Sequence, residues 1–169
     1  MPANAFQYFS ALTDIDLSNS QTTTIGDSAF LGCTALSNVA LSKKTKTIGK
    51  SAFYNCTSLE SIVLPEGVRD IGQYAFRNCD ALTSLQIPVE LSGTIGGNIC
   101  YEIPQNKVKL KISVPDTCTT RSGVELLVSA NSAKLASLYT ALATLKDTTG
   151  TGGMIVAKIV KRDGTDFTY

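Results

Sequence analysis

The chain carries the sequence TIGDSAFLGCTAL at residues 24–36, and the same pattern recurs as TIGKSAFYNCTSL at 47–59 and DIGQYAFRNCDAL at 70–82. The three copies align without gaps, and Ile25, Ile48 and Ile71 occupy the same position in each. A unit of this length is too short to bury an apolar face of its own, so neighbouring units must stack on one another. The constant period therefore predicts a repeat solenoid.

Less regular copies flank these three. Upstream, AFQYFSAL at 5–12 fits the same frame one position longer, with Phe9 where the others have cysteine. Downstream, TIG at 94–96 begins a degenerate unit, and ISVP at 112–115 echoes LQIP at 85–88 after a longer interval. We predict about five units over residues 1–115, of which the first is incomplete, and the last is stretched as terminal repeats often are.

The recurring Ala-Phe-x-x-Cys-x-x-Leu, followed by Ile-x-Ile-Pro, resembles the BspA-like leucine-rich repeats, clearly over residues 5–88 and loosely over 89–115. The first unit lacks the cysteine, and proline is missing after Leu17 and Leu41. The resemblance implies a right-handed leucine-rich-repeat solenoid with a parallel β ladder on one face. It also implies a surface or secreted protein used in adhesion, in binding host matrix or cell-surface proteins, or in cell aggregation.

One face of the predicted ladder is expected to bind a protein partner. Apolar residues alternate with period two, which turns pairs such as Val39 and Leu41 inward and their neighbours outward. The outward side chains are small and mostly uncharged, so we expect a flat surface rather than a deep pocket. Two outward rows are predicted, one of Asp14, Asn38, Ser61, Ser84 and Lys111, the other of Asp16, Ala40, Val63, Gln86 and Ser113.

The C-terminal third has a different pattern, and we predict that residues 116–169 form a small α+β cap on the end of the solenoid. Asn131 is a candidate N-cap for a helix with leucines along one stripe. An apolar strand is predicted at 154–160, and Asp163-Gly164 is typical of a hairpin turn. The helix stripe contains Leu135, Leu138, Leu142 and Leu145.

The composition argues against nucleic-acid binding and against most catalytic and metal-binding functions. Lys plus Arg is 15 and Asp plus Glu is 14, so no overall charge favours nucleic acid. The chain has no histidine, which removes histidine-based catalysis and histidine metal ligands. No run of about 18 apolar residues predicts membrane insertion, and no signal peptide precedes the repeats. We therefore expect a non-enzymatic protein without cofactor or metal.

Several residues allow a second interpretation. Cys33, Cys56 and Cys79 are a candidate disulfide or metal cluster, but a buried thiol ladder is favoured because stacked cysteines lie farther apart than a disulfide allows. The repeat pattern does not place Cys100 and Cys118, and a disulfide between them remains an alternative. Three further features allow a functional interpretation, but for each a structural or surface role is favoured. The disfavoured functional interpretations are a cation site or carboxylate pair at Asp14 and Asp16, a polyanion site at Lys43, Lys44 and Lys46, and a glycosylation site at Asn55.

The leading hypothesis is a protein-binding or adhesion module that uses the outward face of the ladder. The alternative is a structural subunit of a larger extracellular or viral assembly, self-associating through the open N-terminal repeat or the C-terminal hairpin. A glycan-active enzyme ranks third.

Overall fold

The computed structural model describes residues 1–88, 90, 92–97, 99–100, 109–113 and 157–160, and its regular elements in these residues are short strands. Each coil of the repeat contributes one strand to each of two ladders. The strands are β1 Asp14–Asp16, β2 Thr24–Ile25, β3 Asn38–Ala40, β4 Thr47–Ile48, β5 Ser61–Val63, β6 Asp70–Ile71, β7 Ser84–Pro88, β8 Lys109–Ser113 and β9 Ala157–Val160.

All the strand pairs are parallel, as expected for stacked coils. The strands β2, β4 and β6 form one ladder, in which Ile25 pairs with Ile48 and Ile48 with Ile71. The other ladder carries the outward rows and consists of two sheets, β1–β3 and β5–β7–β8–β9. In the described part of the chain no backbone pairing joins β3 to β5, although the two strands pack side by side. The parallel ladders form the predicted leucine-rich-repeat solenoid.

The core is built from ladders of identical side chains. The rings of Phe6, Phe30, Phe53 and Phe76 are stacked, with centroids 5.5, 5.1 and 5.5 Å apart from one coil to the next. Phe30, Phe53 and Phe76 are fully buried, as are the isoleucines that open each repeat. Offset stacking of aromatic rings adds to the energy of burying them. The regular period therefore places equivalent side chains in direct contact.

The glycine of each Ile-Gly pair is required by the close approach of neighbouring coils. A Cβ atom on Gly72 would lie 2.4 Å from the backbone nitrogen of Lys50 in the preceding coil. These glycines do not adopt a left-handed conformation; Ser28, Ser51 and Tyr74 do, with φ between 54° and 60°. A glycine at this repeat position is compatible with either a positive φ or a close approach of the backbone, and the structure selects close approach.

The register of β8 differs from the one predicted. Aligning the prolines at 88 and 115 placed Lys111 opposite Ser84, but Ser84 pairs with Lys109, and Lys111 pairs with Gln86. Lys111 therefore stands beside the second outward row, not the first. The two registers differ by two residues and so both preserve the apolar alternation. The observed one sets Leu110 and Ile112 beside Leu85 and Ile87, whereas the predicted one would set Leu110 beside the exposed Thr83.

The described part of the C-terminal third is one strand. β9 lies within the predicted strand at 154–160 and pairs in parallel with β8, Ile112 beside Ile159. The predicted helix from Asn131 and the hairpin at Asp163-Gly164 lie outside the described residues. The division into residues 1–115 and 116–169 stays a prediction.

Candidate binding face

The sheet face is the outward side of the ladder formed by β1, β3, β5, β7 and β8. The alternation of inward and outward side chains is as predicted in the first three strands, because Ile15, Val39 and Ile62 are more buried than their neighbours. Val63 is the most exposed large apolar side chain of the face, at 52%. The exposed members are Asp14, Asp16, Asn38, Ala40, Ser61 and Val63, and Ser84 is half-buried.

The β1 end of the face is acidic. The Asn38 amide Nδ2 donates a hydrogen bond to Asp14 Oδ1 at 2.6 Å, and the Ser18 backbone nitrogen donates to Asp16 Oδ1 at 2.9 Å. Hydrogen bonds from Thr13 and Asn38 lower the pKa of Asp14, and hydrogen bonds from Ser18 lower the pKa of Asp16. Both carboxylates are exposed and ionised at neutral pH.

A groove of about 640 Å³ crosses the second outward row. It extends from β3 across β5 and β7 to the end of β8, so it runs along the solenoid axis rather than along a strand. The loops that follow β3 and β5 provide one wall. Its lining consists of Val39, Ala40, Leu41, Lys43, Val63, Leu64, Pro65, Glu66, Gln86 and Ser113. The flat surface expected from the sequence is therefore indented beside Val63.

Two residues predicted to be exposed on this face are buried. Gln86 is 3% and Ser113 is 5% exposed. Gln86 lies on β7, an inner strand flanked by β5 and β8, and it lines the groove instead of projecting from the face. The Ser113 hydroxyl donates to the carbonyl oxygen of Ile87 at 3.4 Å. The alternation of polar and apolar residues predicted the side of the strand on which these two residues lie, but it did not predict that they are buried.

The cysteines form the predicted buried ladder. Cys33, Cys56 and Cys79 are free and fully buried, and each thiol donates to the carbonyl oxygen of a phenylalanine in the preceding coil, at 3.0–3.2 Å. Burial raises the pKa of all three thiols. Such protonated, inaccessible thiols are poor nucleophiles and poor metal ligands.

Cys100 belongs to a different ladder. It is 1% exposed, and burial raises the pKa of its thiol to about 12. The Phe76 backbone nitrogen donates to the carbonyl oxygen of Ile99 at 2.7 Å, as Phe53 does to Ala75. Cys100 therefore occupies the phenylalanine position of its coil. The sequence held this signal, because Cys100 follows Ile95 at the same interval as Phe76 follows Ile71. Cys118 lies outside the described residues.

The other candidate sites have structural partners. The Lys44 ammonium contacts the side-chain oxygen of Gln21, and Thr45 is buried with its hydroxyl donating to the Thr22 carbonyl at 3.2 Å. In the Asn55-Cys56-Thr57 sequon, the Thr57 hydroxyl donates to the carbonyl of Thr34. Among the described residues, no group of three or more acidic, cysteine or histidine side chains could hold a metal ion. The same part of the chain contains no helix that is long and apolar enough to cross a bilayer.

Comparison with known proteins identifies the repeats. The sequence matches the model of the BspA type leucine-rich repeat region in six copies over residues 1–120. A leucine-rich repeat protein from Bacteroides ovatus is similar over 90% of this chain, with 28% sequence identity and a TM-score of 0.56. The chain spans 31% of the length of that protein. No curated protein matches the sequence significantly.

A second solved structure shows the same fold. The leucine-rich repeat protein of T. pallidum, TpLRR, is similar over 93% of this chain and 79% of its own, with 22% identity and a TM-score of 0.57. Proteins built from such repeats are typically non-enzymatic and generally mediate protein–protein interaction. The family match spans residues 1–120 of the 169 and agrees with the observed coils. The chain therefore belongs to the BspA-type leucine-rich-repeat family.

Proposed function

We propose that this chain is a non-enzymatic module that binds another protein through the sheet face. The groove of about 640 Å³ beside Val63 is the observation that carries the proposal. An exposed apolar side chain above a groove gives a partner area to bury, and the hydroxyl and amide groups around it offer hydrogen bonds. The proposed binding residues are Asp14, Asp16, Asn38, Ala40, Ser61, Val63, Ser84, Gln86 and Lys111.

The proposed setting is the cell surface or the extracellular space, with a host matrix or cell-surface protein as the partner and adhesion as the outcome. The family supports this setting, because BspA-type repeats are often surface-associated. The absence of histidine supports a binding role over hydrolysis.

The proposal is tested by adding bulk to the face without touching the core. Ser61 is exposed on the face, so Ser61→Arg should leave the fold intact and weaken binding by steric exclusion. Lys50→Glu is the matched control, because Lys50 is also exposed but lies next to β4 in the other ladder. Binding to a panel of purified extracellular-matrix proteins is measured by surface plasmon resonance.

For any protein that binds the unmodified chain, we expect Ser61→Arg to weaken binding about tenfold or more and Lys50→Glu to leave it unchanged. Ser84→Arg should act in the same direction. The opposite pattern, with normal binding by the arginine variants and loss in the Lys50 variant, would place the contact on the other ladder.

Self-association is a second candidate function, favoured by the first coil. Tyr8 and Phe9 are 68% and 59% exposed, more than any other large apolar side chain described. Exposed aromatic residues of this kind are typical of interfaces. Light scattering after size exclusion separates the candidates: a monomer at all concentrations supports a binding module, and concentration-dependent association supports an assembly subunit.

A further inference from the structure

We propose that the groove binds an extended protein segment in which an apolar side chain packs on Val63 and a lysine or arginine two to four positions away lies beside Asp16. This inference rests on the proposed function and names the partner chemistry that the sheet face selects.

The groove dictates the direction of the segment. Its lining comes from three successive coils and β8, and Ala40, Val63 and Gln86 are successive members of one row. A segment that fills the groove therefore crosses the strands and reads one coil after another. This direction differs from the addition of a strand to the edge of a sheet, in which the peptide lies along the strand.

Two members of the row, Val63 and Asp16, provide the chemistry. Val63 offers an exposed apolar surface, and Pro65 in the adjoining wall is half-buried. Asp16 pairs in register with Ala40, so it stands one strand before the groove, and Asp14 lies on the same strand. Both carboxylates are exposed. The groove lining itself carries one charge of each sign, Lys43 and Glu66, so the excess of negative charge lies at the β1 end of the row. This arrangement complements an apolar group followed by a positive charge.

The spacing sets the pattern of the partner. The paired strands β1 and β3 are about 4.8 Å apart, and β5 lies beside β3 without backbone pairing, so Asp16 and Val63 are separated by at least about 10 Å. An extended segment advances about 3.3 Å per residue and turns alternate side chains to the same side. Positions i+2 and i+4 lie about 7 and 13 Å from position i, on either side of this separation. An apolar residue at i with basic residues at i+2 and i+4 therefore brings one long basic side chain within reach of Asp16.

The experiment uses the full chain and three nine-residue peptides. The first has the sequence Ser-Thr-Leu-Thr-Lys-Thr-Lys-Thr-Ser, the second replaces both lysines with glutamate, and the third replaces leucine with serine. Binding is measured by NMR titration of the ¹⁵N-labelled chain. We expect the first peptide to bind and to shift backbone signals in β1, β3 and β5, with at least tenfold weaker binding of the other two.

Variants of the chain test the two contacts separately. Asp16→Asn removes a charge while keeping a similar shape, and it should weaken the first peptide about two- to tenfold, since exposed ion pairs are individually weak. Asp80→Asn is the control, because Asp80 is also exposed but lies three coils away. Val63→Ser should also weaken the first peptide. Raising the salt concentration should reproduce the effect of Asp16→Asn but not that of Val63→Ser.

The outcomes distinguish this inference from the proposed function. Equal binding of the lysine and glutamate peptides, or no binding of the lysine peptide at about 1 mM, a concentration at which even weak complexes form, would overturn the inference. Either result would leave the sheet face as the candidate site for larger partners. Signal shifts confined to β2, β4 and β6 would overturn both.

Discussion

Replacing Gly49 with alanine should destabilise the solenoid, because the new methyl group would enter the backbone of the preceding coil. The Cβ atom would lie 2.6 Å from the Asp27 nitrogen and 2.6 Å from the Gly26 carbonyl carbon, where ordinary contact begins at 3.4 Å. The coils cannot easily move apart to make room, because the backbone nitrogen of Gly49 donates a hydrogen bond to the carbonyl oxygen of Ile25 in the preceding coil at 2.8 Å.

Overpacking of a core that can shift its side chains costs about 1–3 kcal/mol. The atoms near Gly49 are mostly backbone, and the stack of Phe30 on Phe53 at 5.1 Å crosses the same coil boundary. We therefore expect a loss of about 3 kcal/mol in the free energy of unfolding, at the upper end of that range. With a urea m-value of about 1–3 kcal/mol/M, the midpoint of unfolding should fall by about 1–3 M with little change in m.

Gly97→Ala is the matched control, because a Cβ atom there meets nothing within 4 Å. It should stay within about 0.5 kcal/mol of the unmodified chain, or be stabilised by up to about 1 kcal/mol through a less flexible unfolded state. Urea unfolding followed by circular dichroism measures both variants. A Gly49→Ala chain as stable as the unmodified one would show that the coils are not in close contact.

Two further predictions concern the buried thiols. Cys33, Cys56 and Cys79 should react slowly with a thiol reagent under native conditions and rapidly in denaturant, and fast native labelling would mean that the register of the coils is wrong. Because burial raises the folded-state pKa of these thiols, stability should be complete below the unfolded pKa of about 8.5 and fall as the pH rises further. Between about pH 9 and 10 the free energy of unfolding should fall less steeply with pH in Cys79→Ala than in the unmodified chain, by up to about 1.4 kcal/mol per pH unit. Equal slopes of the free energy of unfolding against pH would contradict the predicted titration.

The sequence predicts the solenoid because each repeat position faces one environment throughout the stack. Equal spacing of Ile25, Ile48 and Ile71 is sufficient to align two ladders, and Phe53 and Cys56 then meet their equivalents without further information. The same reasoning fails where the spacing changes. Between β7 and β8 the offset is longer than the period of the regular units, so the position of Lys111 depends on apolar pairing.

The groove could not be predicted from the alternation of polar and apolar residues. Alternation gives the side of the strand on which Gln86 lies, but its burial depends on the strands and loops around it. The interruption of backbone pairing between β3 and β5 is equally invisible, because Val39 and Ile62 occupy the same repeat position. Local surface shape depends on how successive coils differ, whereas a repeat pattern records what they share.

This difference between shared and variable positions explains how a rigid stack can carry a specific surface. The inward ladders of phenylalanine, isoleucine and cysteine hold the coils at fixed spacing whichever side chains point outward. The sequence of the second outward row is then free to change from Asp16 to Ala40 to Val63 without cost to the core. A partner that crosses the strands meets a charged, a small and an apolar side chain in fixed order, one from each successive strand. Because the stack fixes the backbone positions of this row, the row has to lose little conformational freedom on binding. A small contact area can then give a higher affinity than it would on a flexible segment.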